Sequence, residues 1–129
     1  MHIKKEHVLL LINWSHRISL ILAGLLCIAL FLLGRTELAI GLAKPPYDML
    51  LHAVFFGFLA MLIWYGSVYK IWLTFLIVSI LTIADELIQM GVPGRVGSEK
   101  DVLAGMVGAI IVLITSSLIK AIVIRKRQR

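Results

Sequence analysis

Residues 84–108 read ADELIQMGVPGRVGSEKDVLAGMVG, and this stretch decides the fold. It sets Asp85, Glu86, Gln89, Arg95, Glu99, Lys100 and Asp101 between two strongly apolar runs. The run before it, residues 71–84, is uncharged but only 14 residues long. At 1.5 Å per residue it cannot cross about 30 Å of hydrocarbon. The helix must therefore continue through Asp85, Glu86 and Gln89, and stop at Gly91 and Pro93. A loop over residues 92–100 leads into the next apolar run, residues 102–119. Ionisable side chains bordering hydrocarbon are costly, so the stretch is a candidate functional site as well as a helix boundary.

The rest of the chain is mostly oil. It has 129 residues, 60% of them hydrophobic and 16% charged, with a mean hydropathy of +1.00. A soluble domain is nearer 45–50% apolar and about 25% charged. The excess apolar surface faces lipid, and the bilayer is the first predicted partner. The net charge of +6 does not point to nucleic acid, because no basic surface is interleaved with aromatics. The cations sit mainly at the ends of apolar runs, where they orient a membrane protein. The single Cys27 has no internal disulfide partner and reads as a packing residue.

Working outward towards the N-terminus, residues 48–67 form another helix-length run, with Asp48 in its first turn and His52 one turn later. Pro45-Pro46 suits its start, and residues 68–70 are a tight connection to the next helix. Residues 18–34 are uncharged, near the lower limit for a span. They are long for a signal-peptide core, so they are read as retained. Residues 1–17 are a basic, partly amphipathic interfacial arm. Residues 125–129, RKRQR, are a basic tail. The prediction is all-α: a bundle of four transmembrane helices over residues 18–124.

Basic residues set the orientation. One side carries Lys4, Lys5, Arg17, Lys70, Lys120, Arg125, Lys126, Arg127 and Arg129; the other carries Arg35, Lys44, Arg95 and Lys100. The richer side is predicted to be cytoplasmic, with both termini. Asp48, His52, Asp85, Glu86, Gln89, Arg95 and Asp101 then converge at the outer leaflet.

Each has a local reading beside the functional one. Asp48 and His52 share a helix face, and Asp48 complements the helix N-terminus. Asp85 and Glu86 point about 100° apart, so only one is expected to face the bundle axis squarely. Acids near a helix C-terminus oppose its dipole, so a partner is expected, and Arg95 is the obvious one. Ser98-x-x-Asp101 reads as a capping box. Ala104, Gly105, Gly108 and Ala109 form a small-residue packing face. No metal or other cofactor is predicted: there is one His in the set, no HExxH and no Cys pair. No nucleophile motif is present, which leaves acid–base handling by Glu86, Asp85 and His52 as the candidate chemistry.

Asp48-x-x-x-His52-x-x-Phe55, Asp85-Glu86-x-x-Gln89, Pro93-Gly94-Arg95, and Asp101-x-x-Ala104 with Gly108 together resemble the motif set of the VanZ-like proteins. The resemblance spans about residues 44–115. Members often carry Asn where this chain has Gly105. The family is named for a protein associated with low-level teicoplanin resistance in glycopeptide-resistant bacteria. The resemblance implies a multi-pass protein of the bacterial cytoplasmic membrane. The first reading is binding, or modification, of a cell-wall or glycopeptide-like molecule by the polar cluster. A small proton-coupled exporter and a non-catalytic accessory membrane protein are the alternatives. An exporter should hold its acid near the midplane, whereas these acids lie in last turns.

Overall fold

The computed structural model describes residues 5–36 and 47–128, and in them the chain forms four helices and no strand. These are α1 (Lys5–Leu33), α2 (Tyr47–Gly66), α3 (Ile71–Met90) and α4 (Glu99–Arg127). Each is long and apolar enough to cross a membrane, and the protein is an all-α integral membrane bundle. Lys4, Lys44, Pro45, Pro46 and Arg129, which entered the charge count or the helix start, lie outside the described residues, as does the Lys5 side chain.

α3 ends at Met90, so its polar last turns belong to the helix, as the length argument requires. α1 differs from expectation. It is one 29-residue helix rather than an arm followed by a span. Its N-terminal half carries no Gly or Pro, and its polar residues dock on the end of α2. Ser15 Oγ lies 2.8 Å from the Tyr65 hydroxyl. His16 Nδ1 donates to the Tyr65 carbonyl at 2.6 Å, and Ser19 Oγ donates to the Leu62 carbonyl at 2.8 Å. α4 likewise runs on through the basic tail to Arg127. Arg125, Lys126 and Arg127 suit the negative end of the helix dipole there, and Lys120 Nζ sits 3.2 Å from the Tyr69 ring centroid.

The helices alternate in direction, and α2 is the central one. It packs most extensively on α4 and next on α1. Phe56, Leu59, Ala60, Val78, Ala109 and Leu113 form the buried core. Leu9, Leu11, Leu25, Leu51, Leu76, Leu103 and Ile114 stay exposed along the outer faces, the surface a lipid-bathed bundle presents. The small-residue face of α4 meets α2 backbone to backbone. A Cβ on Gly57 would lie 3.1 Å from the Gly108 carbonyl oxygen. One on Gly108 would overlap the Ala53 carbonyl oxygen and lie 2.8 Å from Ala53 Cα. Gly105 lies against Phe56 and Thr82, whose Cγ2 would be 2.7 Å from an added Cβ. An Asn at 105 therefore needs both neighbours to move.

Candidate functional site

One end of the bundle gathers the last turns of α3, the first turns of α2 and α4, and the end of α1. On α2, the Asp48 carboxylate accepts its neighbour Met49's N–H at 2.8 Å, a local cap. Its more consequential group is its carbonyl, which accepts from His52 Nδ1 at 2.9 Å. A carbonyl only accepts, so the Nδ1 proton is assigned, and Nε2 is the nitrogen that faces the cluster. The ring lies over Phe56, 6.0 Å between centroids.

On α3, Asp85, Glu86 and Gln89 are all buried, at 0%, 7% and 8% exposure. Both adjacent acids are thus enclosed, where helical geometry alone leads one to expect a single inward acid. The reason is that the end of α3 is wrapped from two directions. Asp85 faces α1 and α2: its Oδ2 accepts from Gln89 Nε2 at 2.8 Å and lies 3.3 Å from His52 Nε2. Its Oδ1 lies 3.6 Å from where Gly34 would carry a Cβ. Glu86 faces the incoming loop, and its Oε1 accepts the Ser98 backbone N–H.

Arg95 does not form the expected pair. Among the described residues no ion pair joins it to Asp85 or Glu86. Its guanidinium reaches across to α1 and donates to the Gly34 carbonyl at 3.1 Å. That carbonyl lies just past the helix end, where carbonyls lack intrahelical partners. The tie between α3 and the loop before α4 is instead the Glu86–Ser98 bond.

That bond also changes the reading of Asp101. Half of the capping box forms: the Asp101 N–H donates to Ser98 Oγ at 3.3 Å. In the full motif the Asp101 carboxylate would reach back to the Ser98 N–H, but Glu86 holds that N–H already. The Asp101 side chain, 6% exposed, is thereby left to face the cluster.

His52, Asp85, Glu86 and Asp101 thus converge from three helices. Gln89 supports Asp85, Asp48 aims His52, and Arg95, in the loop before α4, reaches the Gly34 carbonyl just past α1. One possible ligand atom from each of His52, Glu86 and Asp101 lies within 4.8 Å of the other two. His52 Nε2, Asp85 Oδ1, Glu86 Oε2 and Asp101 Oδ1 are buried without a hydrogen-bond partner. Among the described residues no Lys or Arg pairs with any of the three carboxylates. The site is strongly acidic, opens at His52, whose side chain is 15% exposed, and is suited to a cation or to a ligand rich in donors. Two participants escaped sequence reasoning, the Ser98 backbone N–H and Gly34. Both act through backbone position, which leaves no side-chain signal.

The family model for VanZ/LLP1 matches residues 12–120, which includes α1 as well as the polar motifs. No curated protein and no solved structure matches the chain.

Proposed function

The chain belongs to the VanZ/LLP1 family, and from that premise we propose that it binds a cell-wall or glycopeptide-related molecule at the outer leaflet of the bacterial cytoplasmic membrane, and so contributes to glycopeptide tolerance. The observation that carries this reading is the set of unsatisfied buried oxygens on Asp85, Glu86 and Asp101 beside the partly open His52. Buried polar atoms without partners cost stability, and water, an ion, a ligand or a role in chemistry accounts for those a protein retains. The excess of basic residues at the opposite end supports the outward orientation of the cluster. Binding suffices for the reading. Modification of the ligand would use His52 with the carboxylates for proton transfer.

The test compares the wild type with Glu86→Gln, His52→Ala and Asp101→Asn in a glycopeptide-susceptible host at matched membrane levels. The wild type should raise the inhibitory concentration of teicoplanin and the variants should not. Equal tolerance in wild type and variants would overturn a role for the cluster.

A further inference from the structure

We propose that His52, Glu86 and Asp101 form a site for one divalent first-row transition-metal ion. The three residues come from α2, α3 and α4. A ligand atom of each lies within 4.8 Å of the other two, whereas an ion with bonds of about 2.0–2.2 Å holds its ligand atoms roughly 3.3–4.4 Å apart. Small side-chain movements complete the geometry.

Three further observations point to an ion rather than to a plain acidic cluster. First, each of the three residues has an unpartnered atom to offer. Nε2 of His52, Oε2 of Glu86 and Oδ1 of Asp101 are buried with no hydrogen-bond partner, and the two carboxylates belong to side chains more than nine-tenths buried.

Second, each ligand is already oriented. His52 donates Nδ1–H to the Asp48 carbonyl, the arrangement that fixes a metal-binding imidazole and presents Nε2. Glu86 is held through Oε1 by Ser98, leaving Oε2. Asp101 is relieved of its capping role by that same bond.

Third, a cation would offset the acidic charge gathered here. Asp85, Glu86 and Asp101 are buried together, and the described residues offer them only His52 as a counter-charge. With Nε2 given to the ion, His52 is neutral, and a divalent ion would offset two of the three carboxylate charges. Asp85, whose Oδ2 lies 3.3 Å from His52 Nε2 and accepts from Gln89, is placed beside the ion. One imidazole with carboxylates suits Zn²⁺ or Mn²⁺ better than Mg²⁺ or Ca²⁺, which prefer oxygen alone. Three protein ligands leave a coordination position open on the exposed side of His52, the pattern of sites that bind or activate an outside ligand.

This is the same cluster on which the envelope-ligand reading rests, so the experiment uses the ion alone. A host that gains no glycopeptide tolerance leaves metal uptake standing, and failed uptake leaves that reading standing. The full chain, purified in detergent and stripped with a chelator, is titrated with Zn²⁺ and its metal content measured after gel filtration. Saturable uptake of one ion per chain is expected. His52→Ala, Glu86→Gln and Asp101→Asn should each weaken it by more than about 10-fold. No saturable uptake by the wild type, or uptake unchanged in all three variants, overturns the site. X-ray absorption at the zinc edge of the wild type needs no variant and covers the case in which a variant fails to fold. One imidazole among oxygen ligands is expected; two or more would place the ion on His2, His7 or His16 and overturn the assignment.

Discussion

Glu86 on α3 accepts the backbone N–H of Ser98, the residue that caps α4. A single carboxylate thus joins the end of one helix to the start of the next across a loop of eight residues, and the chain reversal brings Asp101 into the cluster. Glu86→Ala strands a partly buried N–H, and the loss of that partner should cost about 1–3 kcal/mol. Glu86→Gln keeps an acceptor oxygen and removes a buried charge, so without metal it should melt at or above the wild type. Thermal unfolding of the two variants in detergent checks this; equal losses in both would mean that the charge rather than the hydrogen bond holds the loop.

Arg95 makes its described contact to the Gly34 carbonyl, at the end of α1. Arg95→Ala should lower stability by about 1.5–3 kcal/mol, the worth of a charged hydrogen bond, and Arg95→Lys should recover only part, since Lys lacks the fork. A double-mutant cycle between Arg95→Ala and Glu86→Gln should be additive to within about 0.5 kcal/mol. A larger coupling would mean that the two side chains interact.

The pattern of side chains carried the fold well and the site partly. The 14-residue run at residues 71–84 is too short to span, which by itself forces Asp85, Glu86 and Gln89 into a helix end, where they are found. α1 was harder, because what turns residues 5–17 into helix is the docking of Ser15, His16 and Ser19 on α2, a tertiary contact with no local signature. Arg95 misled for a related reason: proximity in sequence favoured the acids, while the fold brought the end of α1 to it. The trio of His52, Glu86 and Asp101 follows no linear metal motif because each member rides on a different helix. Asp101 in particular carries a complete local explanation as a cap, which the Glu86–Ser98 bond displaces.

Glycine positions separate packing from tolerance. Gly24 on α1 has open space where a Cβ would go, while Gly108 has the backbone of Ala53. Gly24→Ala should be neutral or stabilising by about 0.5–1 kcal/mol through helix propensity. Gly108→Ala should destabilise by about 1–3 kcal/mol through overpacking. Melting temperatures of the two variants test the contrast; a Gly108→Ala protein as stable as the wild type would mean that α2 and α4 separate freely.

Topology is checked with reporters. Fusions at Gln128 and within residues 91–98 should report opposite compartments, with Gln128 inside. Finding both on one side would contradict a hairpin-paired bundle with its polar end outward.

The meeting of Gly108 with the backbone of Ala53 also acts as a ruler. Ala53 follows His52 directly, and Asp101 lies two turns before Gly108 on the same face of α4. The gap between His52 and Asp101 is therefore gauged by two peptide backbones in contact, not by rotamers that hop. Such a gauge hardly stretches, so the opening it frames should discriminate among occupants by radius. A substitution at position 108, about 10 Å along the helix from Asp101 at 1.5 Å per residue, would retune that aperture without touching anything inside it.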